Sequence, residues 1–307
     1  VVLKASPDYW GPKPAWSEVV IRNVQASEQG LDVERGQYEV GLDLSPSQTT
    51  SLSGVKIVSG ASPNIWFLFD NDSRKVAGGI TDNHDFQQAV RYGVNYQSLL
   101  AVAGKGAIQA AGLVPTQFNG TLPMSDDTHT SVALAKQYLA KSGLKNPTVK
   151  LYYASDISLN GISPGTVAAV VQQDLQAVGI TVELEPQSIT ISLNGYREGT
   201  EQMGLWFWEP DYPDANDYLA FAPGHLVGLR AGFTAAVSPA IAALANKAAV
   251  TTAPAERTAI YQQYQQAMNA DGPFVPLIQT AQVLVATKNL SGLAENALWF
   301  VDLRNLG

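Results

Sequence analysis

Apolar residues follow two rhythms along the chain, and the changes between them mark its elements. As far as about Asn64 they come in short runs separated by turn formers. Val19-Val20-Ile21 and Tyr38-Glu39-Val40-Gly41-Leu42 have strand composition, and Val55-Lys56-Ile57-Val58 alternates apolar with polar. Ser59-Gly60-Ala61-Ser62-Pro63 then reads as a loop. Ile65-Trp66-Phe67-Leu68-Phe69 reads as a strongly apolar strand ending in Asp70-Asn71-Asp72-Ser73.

The spacing next becomes helical. Phe86, Ala89, Val90, Gly93 and Val94 lie on one face that Leu100 continues. Val132, Ala135, Leu139 and Ser142 mark a second helix with Gly143 as its stop. Val149, Leu151 and Tyr153 alternate as a strand. The clearest unit comes next. Ser163 is a helix N-cap with Pro164 at the first helical position. Val167, Val170, Val171 and Val178 form its apolar face, Gly179 ends it, and Ile180, Val182 and Leu184 alternate again. Strand, helix and strand in this order predict a parallel pair with a right-handed crossover.

Leu205-Trp206-Phe207-Trp208 is a further buried strand, and residues 209–237 read as loop-rich. Ser238-Pro239 starts a helix with Ile241, Leu244 and Ala248 aligned. Pro254 starts another with Ile260, Tyr264 and Met268, ending at Gly272. Val275 to Ile278 and Val283 to Ala286 return to strand. The class is α/β, without tandem repeats or low-complexity segments.

Composition narrows the function. With 307 residues and 46% hydrophobic content, the chain can build a sizeable core in about two domains. Its net charge is −8, and Lys4, Lys13, Lys136, Lys141 and Lys145 are scattered. That argues against a nucleic-acid partner, which needs clustered cations. The absence of cysteine excludes disulfides, thiolate metal sites and a Cys nucleophile. No apolar run approaches the ~20 residues of a membrane span. Val1-Val2-Leu3-Lys4 reads as a strand already under way rather than a signal peptide, which suggests a piece of a longer chain.

His84, His129 and His225 sit in polar or loop contexts with no G-x-S-x-G elbow, so they read as surface histidines rather than a catalytic base. Thr81 to Asp85 and Asp126 to His129 mix acids with imidazole but lack metal-ligand spacing. Asp70-Asn71-Asp72 starts like a calcium loop but lacks its Gly and distal Glu. Gly104-Lys105-Gly106 reads as a loop after a helix rather than a phosphate cradle. No metal, cofactor or enzymatic activity is expected.

One segment differs from these. Leu205-Trp206-Phe207-Trp208-Glu209-Pro210-Asp211-Tyr212-Pro213-Asp214-Ala215-Asn216-Asp217-Tyr218 carries a strand into a loop with aromatics and three acids at intervals of three. Ligands of α/β proteins bind beyond the carboxyl ends of strands. An Asp among aromatic walls there would hold an ammonium group through charge-assisted hydrogen bonds. Trp208 and Tyr212 could add cation–π attraction on the order of 0.5–2 kcal/mol. The same residues would equally serve as a structural corner, with Trp208 in the core and the acids capping the next helix.

Several stretches together resemble the solute-binding proteins of oligopeptide, dipeptide and nickel ABC importers, known as family 5. They are Pro7-Asp8-Tyr9-Trp10-Gly11-Pro12-Lys13-Pro14, Asp85 to Asn95, Val114-Pro115, Gln172 to Leu184, Pro254-Ala255-Glu256-Arg257, Pro273 to Leu277, and the Trp208 to Asp214 loop. The likeness covers nearly the whole chain. It implies a periplasmic-binding-protein-like type II fold: two α/β lobes with mixed sheets, joined by a hinge, the first lobe incomplete. On that plan residues 1–66 plus 280–307 are a remnant of the discontinuous first lobe and residues 67–279 form the second.

The resemblance also implies some two hundred further residues before this start, with a lipid-anchored N-terminus. It implies an extracytoplasmic, monomeric protein that binds a peptide or related small solute between lobes and delivers it to an ABC permease. The site residues it implies are Trp208, Asp211, Tyr212, Asp214 and Trp206, with Asp211 on the peptide's α-ammonium. Arg197 and Arg230 are candidates for its carboxylate. The competing expectation is an envelope lipoprotein on the same fold that works by protein interaction and carries no solute. A hydrolase on an α/β scaffold would need a nucleophile and base that the sequence does not offer.

Overall fold

The computed structural model describes residues 1–296 and 301–307. The chain opens with an antiparallel ribbon of β1 (Val2–Lys4) and β2 (Glu18–Val20), in register through Leu3 and Val19. A helix not anticipated from the sequence, α1 (Ala26–Glu34), and the short β3 (Val40–Gly41) follow. Then β4 runs unbroken from Val55 to Asp70, through the Ser59–Pro63 stretch expected to be a loop. The loop signal there marks a β-bulge instead: pairing with the last long strand shifts register between Ala61 and Ile65. Pro63, which has no N–H to donate, sits in the bulge, where a missing ladder bond is tolerated.

The next elements build one layer of helices: α2 (Arg74–Ala77), α3 (His84–Gly93) and α4 (Tyr96–Ala103). Asn83 and Asn95 cap α3 and α4, accepting from the N–H groups of Phe86 and Ser98. After β5 (Ile108–Gln109) comes α5 (Val132–Lys141), capped by Ser131. The predicted βαβ unit is β6 (Thr148–Ala154), α6 (Pro164–Val178) and β7 (Thr181–Gln187), with β6 and β7 parallel from Thr148/Thr181 to Ala154/Gln187. Gly179 closes α6 at φ 106°, a left-handed conformation that glycine adopts without penalty.

The remaining elements are α7 (Ile189–Glu198), β8 (Met203–Trp208), α8 (Leu226–Arg230), α9 (Pro239–Val250), α10 (Pro254–Asp271) and β9 (Phe274–Thr287). The two strands expected around 275–278 and 283–286 are thus one.

The described residues form a mixed seven-stranded sheet in the order β3-β9-β4-β8-β6-β7, with β5 pairing β9. Side chains alternate across it. Trp66, Leu68, Met203 and Leu205 face a core built with α3, α4, α5 and α6. Ile65, Phe67, Phe69 and Trp206 face a second core built with α7 to α10. Two smaller clusters flank the far half of β9, one with Val33 and Leu44, the other with Leu290, Leu293 and Leu306.

The division expected at residues 66 and 280 falls inside paired strands, where Ile65 meets Gln279 and Trp66 meets Ile278. The expected 280–307 segment includes residues 297–300, which lie outside the described residues.

Candidate functional site

β8 lies beside β4 and ends at Trp208, so its alternation decides what the following loop receives. Trp206 and Trp208 point to the same face of the sheet, two residues apart. Trp206 is 6% exposed. Its ring stacks on Tyr196 of α7 with centroids 4.6 Å apart, and its indole N–H donates to Glu201 Oε2 at 3.1 Å. Burial pushes the Glu201 carboxyl up to about 7, against the stabilising bonds from Trp206 and Ser192. Trp206, expected among the ligand contacts, therefore sits beneath the loop under α7.

Trp208 is half-buried and packs edge-on against Phe221, centroids 5.5 Å apart. Its indole N–H donates to Asp217 Oδ2 at 2.6 Å, and the Asp211 backbone N–H donates to the same oxygen at 3.3 Å. Asp217, in the 3-10 helix Ala215–Phe221, thereby ties the loop's two ends together. Its carboxyl is raised, first by burial, against the two hydrogen bonds that lower it.

Asp214 caps the same helix, accepting from the Asn216 N–H at 2.7 Å, and forms an ion pair with Arg257 of α10. Asn216 in turn donates to the Tyr212 hydroxyl at 2.9 Å and accepts from the Tyr261 hydroxyl at 3.1 Å. The three acids have thus separated. Asp214 caps the helix as the corner reading expected, whereas Asp217 lies within it and is bonded by the Trp208 indole and the Asp211 N–H. Asp211 is exposed, and among the described residues no side chain bonds its carboxylate.

These residues surround a crevice of about 290 Å³. It is lined by Trp208, Asp211, Tyr212, Asn216 and Asp217 from the loop and the start of the 3-10 helix, and by Leu219, Ala220, His225, Leu226 and Ala249. Trp206 and Asp214 lie outside this lining. His225, read from the sequence as a surface histidine, is half-buried here. Its signal was its place between the 3-10 helix and α8, which no local motif announces.

Arg197 is exposed and Arg230 stacks over the Tyr196 ring at 4.7 Å, so neither lines the crevice. His84 lies 3.2 Å from Asp271 and His129 3.4 Å from Asp127, both on the surface. Among the described residues no group of three or more His, Asp or Glu side chains is arranged to hold a metal ion. A larger cavity of about 710 Å³ lies elsewhere, between the β1/β2 ribbon, β3 and the C-terminal segment, and includes none of the loop residues.

The α/β architecture, a mixed sheet covered by helices on both faces, is that of periplasmic-binding-protein-like structures. The family model for bacterial extracellular solute-binding proteins, family 5 (middle), matches residues 1–224. The chain belongs to that family.

It is 24% identical over 298 residues to di/tripeptide-binding protein 2 of Pseudomonas aeruginosa, covering 94% of this chain and 54% of that protein. It is 23% identical over 305 residues to the probable D,D-dipeptide-binding periplasmic protein DdpA of Escherichia coli, covering 97% and 57%. The chain therefore spans little more than half the length of these relatives. Among solved structures, DppA of Helicobacter pylori in complex with the peptide STSA superimposes with a TM-score of 0.84 at 22% identity, covering 99% of this chain and 59% of that one. A dipeptide-binding protein from Pseudoalteromonas in complex with Met-Leu gives 0.84 at 17% identity, covering 99% and 61%.

Proposed function

We propose that this protein is the substrate-binding component of an ABC importer. It takes a peptide, or a related small solute bearing an ammonium group, at the crevice beyond β8. The observation that carries the reading is the division of labour among three acids in one loop. Two are locked into the fold, and Asp211 alone keeps a carboxylate without a side-chain partner beside two aromatic rings. A fixed anion beside Trp208 and Tyr212 suits an ammonium, which gains charge-assisted hydrogen bonds and cation–π attraction together.

Trp208, Asp211 and Tyr212 contact the ligand on this reading. Asp214 positions the loop, and Trp206 supports it from beneath. The peptide-binding relatives and structural neighbours support the same ligand class. Residues 1–66 with 280–307 and residues 67–279 serve as parts of two lobes that close about the β4/β9 ribbon, with the bulge at Ala61–Ile65 as the flexible point. The protein works as an extracytoplasmic, lipid-anchored monomer beside its permease. Among the described residues no helix is long and apolar enough to cross a membrane.

Calorimetric titration with di- and tripeptides tests the reading. Asp211→Asn should weaken peptide binding at least about tenfold, the scale of one charge-assisted contact. Acetylating the peptide's amino group should have a similar effect on the unaltered protein. Unchanged affinity in both experiments would remove Asp211 from the site.

A further inference from the structure

Asparagine followed by glycine is a pair with chemistry of its own. No side chain on the glycine keeps its peptide nitrogen from the amide carbon of the asparagine. The chain has three such pairs, Asn119-Gly120, Asn160-Gly161 and Asn194-Gly195. We propose that Asn119 is a self-modifying site, at which the folded protein converts asparagine into aspartate and isoaspartate, while the other two pairs are protected. None of this depends on what the crevice binds.

The reaction needs two freedoms. The glycine N–H must be open to base rather than held by an acceptor, and the asparagine must be able to turn its Cγ toward that nitrogen. Asn160 has neither. It is fully buried, its Nδ2 donates to Thr280 Oγ1 at 2.7 Å, and the Gly161 N–H donates to Asp43 Oδ1 at 2.7 Å. Asn194 and Gly195 lie inside α7. There the helical ladder takes the glycine N–H, and side chains lean toward the N-terminus, away from the following nitrogen.

Asn119 has both freedoms. It is exposed in the turn Phe118–Thr121, which the Thr121 N–H closes by donating to the Phe118 carbonyl at 3.3 Å. Among the described residues nothing bonds the Asn119 side chain, and nothing accepts the Gly120 N–H. The turn also forbids a protective neighbour. Gly120 sits at φ 95°, and a Cβ on it would lie 2.7 Å from Tyr261 Cβ. The fold therefore demands the residue that makes Asn119 labile.

The step balances with hydroxide and water alone. Hydroxide removes the Gly120 amide proton, the nitrogen bonds to Asn119 Cγ, and the Cγ–Nδ2 bond breaks with loss of ammonia, leaving a cyclic imide. Water opening the imide at Cγ gives aspartate with the original backbone. Opening at the main-chain carbonyl gives isoaspartate, whose main chain runs through Cβ and Cγ and is one carbon longer. That longer link unseats Gly120, which packs against Tyr261 and whose carbonyl accepts from the buried Gln265 side chain at 2.6 Å. The Tyr261 hydroxyl donates to Asn216 of the crevice lining, so the modification lies two contacts from the candidate site.

The test incubates the folded protein in mildly alkaline buffer made with heavy-oxygen water and maps the label by peptide mass spectrometry. Label should enter residue 119 at least about tenfold faster than residues 160 and 194. In denaturant the three rates should converge. Asn119→Gln should abolish label at residue 119 and leave the other two pairs unchanged. Hydrogen exchange around Gly120 and Gln265 should rise in the aged protein but not in Asn119→Asp, which carries the charge without the longer link. Native rates within about threefold of one another, or label at residue 160 or 194 ahead of 119, would overturn the proposal. Equal exchange in the aged protein and in Asn119→Asp would overturn the role given to the longer link.

Discussion

From Ile65 to Asp70 every residue of β4 is buried, whereas from Val55 to Ala61 half-buried and exposed positions mix and Ile57 stands 44% in solvent. The two halves belong to one strand, yet their surroundings differ. The inner half lies between β9 and β8 and is covered by helices on both faces. The outer half pairs with β9 alone and is an edge, where Lys56 and Ser59 keep a free strand from pairing with another chain. A run such as Ile-Trp-Phe-Leu-Phe is what two-sided burial demands, and Val-Lys-Ile-Val is what one-sided burial allows. Stability should therefore concentrate in the inner half, and the outer half should be joined to it by few, specific contacts.

The largest effect should come from testing that asymmetry directly. Phe67 is fully buried and packs edge-on against Phe221 and Phe274. Phe67→Ala should cost about 3–5 kcal/mol, against less than about 1 kcal/mol for Ile57→Ala. Denaturant unfolding of both variants decides it, and similar losses would break the comparison.

A smaller effect should come from the contact that ties the outer region to the inner one. The Asp43 carboxylate accepts from the Ser158 hydroxyl and from the Gly161 N–H at 2.7 Å. Between them, buried Asn160 sits at φ 52° and donates to Thr280 Oγ1 at 2.7 Å. Asp43→Ala strands two donors and should cost about 1–3 kcal/mol. Hydrogen exchange should rise first in residues 43–48 and 156–162. If exchange rose only in the inner sheet, the two regions would not be linked through this clamp.

The inner half also predicts a pH dependence. Asp70 is fully buried at the end of β4, and neither of its carboxyl oxygens has a hydrogen-bond partner among the described residues. Burial first, then the charge of Asp72, raises its carboxyl well above the ordinary value, against the attraction of Arg91. Asp72 is likewise raised, to about 7, chiefly by burial. The folded protein keeps protons that the unfolded chain releases near pH 4. This stabilisation is complete below that pH and is lost as pH rises toward the folded-state values. Asp70→Asn should remove one proton's share of the slope, about tenfold in the folding constant per pH unit above pH 4. Parallel unfolding curves for the variant and the parent from pH 5 to 8 would contradict it.

Much of this arrangement was legible in order along the chain. The Ser163-Pro164 start, the valine face and the Gly179 stop define α6 because caps and period are local properties. The flanking alternation correctly announced a parallel pair. The continuity of β4 was not legible, because Ser59 to Ala61 find their ladder partners at Ala281 to Val283, more than two hundred residues away. Nor was α1, whose short, mostly polar turns carry little periodic signal.

The loop after β8 shows the same limit at the site. The sequence by itself determined that aromatics and three aspartates follow a buried strand, and its resemblance pointed to a solute-binding family. It could not say which acid stays free, because Asp211, Asp214 and Asp217 are equivalent by type and spacing. Tertiary structure alone decided that. Arg257 arrives from α10 to take Asp214, the Trp208 indole turns onto Asp217, and α7 covers Trp206. Local propensity depends on neighbours within a few residues, whereas the pairing of a polar group depends on which distant elements pack against it.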